Sequence, residues 1–232
     1  MAVFGLIVAA CAALSVHLID GTASADTRSI SPRTIVNAVN LRASDLPGFQ
    51  VKPDSSAGGG GTLAQSLVQC VGPAGEGLNT TPQAQVAANF TSGSGLGSAG
   101  VSSFVIVTSD AQVASDSKVL GDPRFGRCMA RLLSTAISAD GATVAASNPQ
   151  AMTLPDPPVA RGSAVRSPLA LRLSVTLTGD GLSTTAWVDF YFVTVGRDEI
   201  FFGAYTLDQP FSLAAEHRIA RVLVSRALAL PH

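Results

Sequence analysis

A chain of 232 residues with 47% hydrophobic and 13% charged side chains has the composition of a folding chain rather than a disordered tail, and it is long enough for one well-buried core. Its 15 Lys and Arg are set against 16 Asp and Glu. Near neutrality excludes an electrostatic grip on nucleic acid or on an anionic bilayer, both of which need clustered basic residues.

The N-terminal stretch is apolar from Ala2 to Ile19 and runs into Ala23-Ser24-Ala25. This is the apolar core and small-x-small cleavage site of a secretory signal peptide, with Asp26 as the expected mature N-terminus. The first basic residue is Arg28, beyond that site. A basic start is therefore expected further upstream. Two other readings stay open: a membrane-spanning anchor, since the run matches the shortest spanning helices, and a lipobox at Val8-Ala9-Ala10-Cys11 that would tether the protein through an acylated cysteine. Residues 1–25 are read as signal peptide, 26–40 as a flexible N-terminal segment, and 41–232 as a single extracytoplasmic domain.

In that domain "LRASDLPGFQVKP" predicts a turn and a short strand over Phe49 to Lys52. The "SSAGGGG" that follows predicts a loop, because ordering four consecutive glycines costs much entropy. "TLAQSLVQC" predicts a helix capped by Thr62, with Leu63, Leu67 and Cys70 on one face. Two strands, "QVAANFTS" and "VSSFVIVTS", form a hairpin across "GSGLGSAG". A helix then runs from Ser109 or Asp110 to Leu120, and a second from about Pro123 to Ser138. Phe125, Cys128, Leu132 and Ile137 form the apolar stripe of the second, opposite Arg124, Arg127 and Arg131. Residues 152 to 168 are Pro-rich and irregular. Leu169, Leu171, Leu173, Val175 and Leu177 alternate with Ala170, Arg172, Ser174, Thr176 and Thr178, the pattern of a strand with one buried and one wet face. "TTAWVDFYFVTV" and "EIFFGAYTL" add two strands around a tight turn. The last helix starts at Ser212, carries Glu216 near its first turn, and presents Ala215, Ile219, Val222, Leu223 and Leu230 to the core. Hairpins interspersed with helices, without βαβ repeats, predict an α+β fold: a largely antiparallel sheet covered by helices.

Cleavage would remove Cys11 and leave Cys70 and Cys128 in an oxidising compartment, where a disulfide is expected. Each cysteine sits on the buried stripe of a helix, so the bond would pin both helices to one core. Closing so long a loop stabilises by about 4 kcal/mol.

Catalytic patterns fail on context. Gly95 to Gly100 fits G-x-G-x-x-G, but the last glycine opens a strand where a phosphate site needs a helix N-terminus. There is no G-x-S-x-G. The histidines beyond the signal are His217, expected at a helix surface, and His232, near the end; neither has a second histidine at metal-binding spacing. No catalytic residue, metal or cofactor is assigned. The exception in interest is Asp189, flanked by Trp187 and Tyr191 on one strand face. A carboxylate between two aromatics suits a small-ligand groove; the competing account has Asp189 paired with an arginine.

Taken together, "LRASDLPGFQV", Cys70, "SSFVIVTSDAQVASD", "PRFGRCMARLL" and "VDFYFVTVGRDEIFFGAYTL" with its helix resemble actinobacterial secreted proteins and lipoproteins that carry an extracytoplasmic sensor-like domain. The ectodomain of a mycobacterial receptor Ser/Thr kinase is similar, as are Mog1/PsbP-like lipoproteins. This resemblance implies a non-catalytic module, a disulfide and a cleft for a ligand; the chain has one cysteine pair where the kinase ectodomains tend to have two. The expected function is an exported cell-envelope module that binds a small molecule or envelope component. The alternative is a secreted hydrolase with a site around Asp189 or His217.

Overall fold

The computed structural model describes residues 30–52, 66, 67, 69–72, 82–94, 97–139, 145–157, 165–179 and 181–230. Expectations that fall on the signal segment, Cys11, the glycine loop, Thr62, the start of the G-x-G-x-x-G stretch and His232 lie outside them. Among the described residues, helix α1 is Pro32–Val39, and strands β1 (Gln50–Lys52), β2 (Ala84–Ser92) and β3 (Ala99–Val107) follow. Then come helices α2 (Asp110–Leu120) and α3 (Phe125–Ala139), strands β4 (Ala145–Thr153), β5 (Val165–Gly179), β6 (Leu182–Val195) and β7 (Asp198–Leu207), and helix α4 (Leu213–Leu228). The fold is α+β, as expected.

The strands form one antiparallel sheet in the order β1-β2-β3-β7-β6-β5-β4. The chain builds one edge, crosses over through α2 and α3 to the other, and returns so that β7 closes against β3. Helices pack on both faces. On one, Leu169, Leu171, Leu173, Val175 and Leu177 of β5 meet Phe125, Met129 and Leu133 of α3 and Leu120 of α2. On the other, Tyr191, Val193, Ile200 and Phe202 meet Ile219, Leu223 and Val224 of α4 and Ile35, Val36 and Val39 of α1. We call these the disulfide face and the α4 face.

Cys70 and Cys128 are bonded, with Cα atoms 5.8 Å apart, and Leu67, Val71 and Cys128 are buried in one cluster. The bridge therefore pins the helical backbone at 69–71 to α3, on one core. Arg124, Arg127 and Arg131 are exposed on the opposite side of α3, as a solvated stripe should be.

Two segments correct the sequence reading. The N-terminal segment 26–40 was expected to be flexible, yet residues 32–39 are α1. Ser31 caps it by accepting from the Thr34 amide at 3.2 Å, Pro32 occupies the first turn, and its buried side chains tie it to the sheet. β4 was not foreseen as a strand, because it carries Pro149, a left-handed Asn148 (φ 51°) and a register shift between Ser147 and Gln150. Such features occur together on edge strands, which they protect from further pairing.

Gly100 lies in β3 opposite Tyr205, and a Cβ on it would fall 1.9 Å from the Tyr205 ring. The last glycine of the G-x-G-x-x-G stretch is thus explained by a close approach within the sheet.

Candidate functional site

β5 places Arg172 directly opposite Asp189 of β6, on the α4 face. The guanidinium grips the carboxylate with two parallel bonds, Nε to Oδ1 at 2.7 Å and Nη2 to Oδ2 at 2.6 Å. Nη2 also donates to the Phe211 carbonyl at 3.0 Å and lies 3.7 Å from Glu216 Oε1. Two residues along β6, Tyr191 donates to Glu216 Oε2 at 2.8 Å and stacks on Phe202, with ring centroids 4.6 Å apart. Asp189 is 1% exposed, Tyr191 and Glu216 are 0% exposed, and α4 supplies the cover.

The electrostatics follow from that enclosure. Glu216 is pushed up to about 8, first by burial and then by the hydrogen bond and charge of Asp189; Tyr191 and Arg172 pull back in part. Burial and Glu216 also raise the Tyr191 phenol, while Asp189 holds the Arg172 guanidinium more firmly protonated. With Glu216 protonated, the cluster is one cation and one anion, the neutral arrangement that a dry interior tolerates best.

The expected trio Trp187, Asp189 and Tyr191 does share one face, but that face is not open along its length. Asp189 has both oxygens on Arg172, the competing account raised from the sequence, and is not an acceptor facing a groove. Trp187 is half-buried at the border of the α4 cover. Its Nε1 donates to the Asp208 carbonyl at 3.2 Å, and the Arg172 guanidinium lies over its ring, 5.9 Å from the centroid.

A second buried pair, missed in the sequence, lies on the disulfide face. Asp116 of α2 accepts from Gln112 at 2.7 Å and is hydrogen-bonded to Glu199 of β7. Burial, then the charge and hydrogen bond of Asp116, push Glu199 up to about 9; burial raises Asp116 to about 6 against its bonds to Glu199 and Gln112. Two carboxyls so close hold a proton between them in neutral solution. The sequence signal was there: Val113, Asp116 and Leu120 fall at i, i+3 and i+7, which puts an acid on an apolar stripe.

His217, expected at the surface, is partly buried and turned edge-on to Tyr191 at 6.5 Å. Its Nε2 has no hydrogen-bond partner among the described residues. Among those residues, too, no three His, Cys, Asp or Glu are grouped to hold a metal ion, and no helix is long and apolar enough to cross a membrane.

Comparison with protein-family models, with curated proteins and with solved structures finds no match.

Proposed function

We propose that the protein is an exported, non-catalytic module of the cell envelope that binds a small molecule or an envelope component. The observation that carries this reading is the Cys70–Cys128 bridge, since such bonds persist where the surroundings are oxidising. The use of the interior acids supports the non-catalytic part. Asp189 and Glu216 are taken up by Arg172 and Tyr191, and Asp116 and Glu199 by one another. General acid-base work needs such groups within reach of a reacting atom.

The test has two arms on the oxidised protein. Soluble fractions of cell-envelope extract are expected to raise its melting temperature, because a ligand that binds only the native state stabilises by mass action. Chromogenic ester, peptide and glycoside substrates are expected to remain intact. Turnover that His217→Ala abolishes would replace this reading with the hydrolase.

A further inference from the structure

We propose that the part of the α4 face left open beyond α4 binds a neutral carbohydrate strand, with Trp187 as its stacking platform. The inference rests on the binding-module reading and names the ligand class.

The surface is assembled by register. Ser147 of β4, Thr176 of β5 and Thr185 of β6 line up across three strands, and Gln150, Ser174 and Trp187 form the adjoining row. α1 packs against β2 and β3, and α4 against β6 and β7. Ser147 and Gln150 are left exposed, and Thr176, Thr185 and Trp187 half-exposed.

The chemistry of these two rows selects the ligand. Apart from Ser174, which is buried, they present hydroxyls, one amide and one indole, and no charged group. The nearest cation, Arg172, is already spent on Asp189. An anionic ligand would lose hydration here without meeting a free cation, and the one acid beside the platform, Asp208, is turned to it by its backbone carbonyl. A sugar ring matches instead: its C–H face suits an indole, and its hydroxyls exchange hydrogen bonds with Ser, Thr and Gln, each able to donate and accept.

The platform is also built in advance. Trp187 is held by its bond to the Asp208 carbonyl and by the guanidinium over its ring, and that guanidinium is locked by Asp189 and Phe211. A group ordered before binding spares the complex that entropy. The broken register and Pro149 of β4 oppose addition of a strand at this edge, so the occupant lies on the face.

Trp187 is the one tryptophan in the sequence, so its fluorescence reports on this surface alone. The oxidised protein is titrated with cellohexaose, maltohexaose and chitotetraose. At least one should shift the emission saturably, with a midpoint that about 0.5 M salt leaves unchanged because no ion pair is involved. Thr176→Val with Thr185→Val, which keeps the reporter, should weaken binding roughly tenfold, and Trp187→Ala should abolish the heat of binding in calorimetry. Three outcomes overturn the proposal: emission unmoved by all three sugars, a response that salt removes, or a dimer that Trp187→Ala dissolves. If the sugars fail while envelope extract still raises the melting temperature, the binding module stands and the carbohydrate assignment falls. If both fail, both readings fall.

Discussion

At Asp189 the strand period and the tertiary cover made separate contributions. Alternation along β6 was enough to put Trp187, Asp189 and Tyr191 on one face, but not to say what lies above it. The missing fact was Glu216, read from the sequence as a partner for the helix dipole. It falls in line with Ile219, Ala220 and Leu223, which are buried on α4, so it enters the sheet instead of facing water. An acid on an apolar stripe signals a buried partner, here Tyr191 with Arg172 close by. Asp189→Asn should therefore destabilise by about 1–3 kcal/mol: it breaks the two-bond grip on a buried Arg172, and Glu216, 3.7 Å from the guanidinium and relieved of the Asp189 charge, supplies only a longer and partial counter-charge. Replacing both members, Arg172→Met with Asp189→Leu, should recover most of that loss. Urea midpoints measure both, and a single variant as stable as the parent would show that the pair does not need its charge.

Among the elements, α1 is legible in the sequence, whereas β4 is not. Ser31-Pro32 is a cap followed by a proline where its missing amide costs nothing, and Ile35, Val36 and Val39 make a stripe that two turns can bury. β4 has no such pattern: four of its side chains, Ser147 to Gln150, face solvent, and its proline is tolerated because the strand is an edge. The apolar run predicts β3 from Val101, but the strand begins at Ala99 because Gly100 pairs with Tyr205 and lets the ring lie across it. Gly100→Ala has no room for its methyl group and should cost about 1–3 kcal/mol through displacement of Tyr205. A melting temperature equal to the parent's would mean that the ring moves aside freely.

For the whole molecule, the buried acids make stability depend on pH in an uncommon direction. Glu199 and Glu216 are raised from a usual 4.5 to about 9 and about 8, so the folded chain keeps protons that the unfolded chain gives up. Their contribution is complete below about pH 4.5, and it is lost as pH rises through 8 and 9. Asp45 works the opposite way: burial would raise it, but Arg226 and the Arg42 amide hold it below its usual value, and its contribution is lost as pH falls. Urea midpoints should peak in mildly acid solution and decline toward pH 9, and Glu199→Gln should flatten that decline. A midpoint that rises with pH over the same range would contradict the assignment. Reduction of the bridge, followed by alkylation, should remove up to about 4 kcal/mol and lower the melting temperature by roughly 10 °C.

The position of β7 has a kinetic consequence. The last strand of the described chain sits in the middle of the sheet, where Ala99 pairs with Thr206 across about half of the domain's length. A chain that emerges from its N-terminus can zip β1 to β3 early and the β4–β6 meander next, but the two halves remain separate until β7 arrives. Until then β3 and β6 each present a bare row of amides and carbonyls. Contacts of such sequence separation close slowly, and open strand edges in a half-made sheet invite pairing with other chains. The nascent protein is therefore most vulnerable to aggregation just before β7 appears, and loss of β7 would split the sheet at its centre.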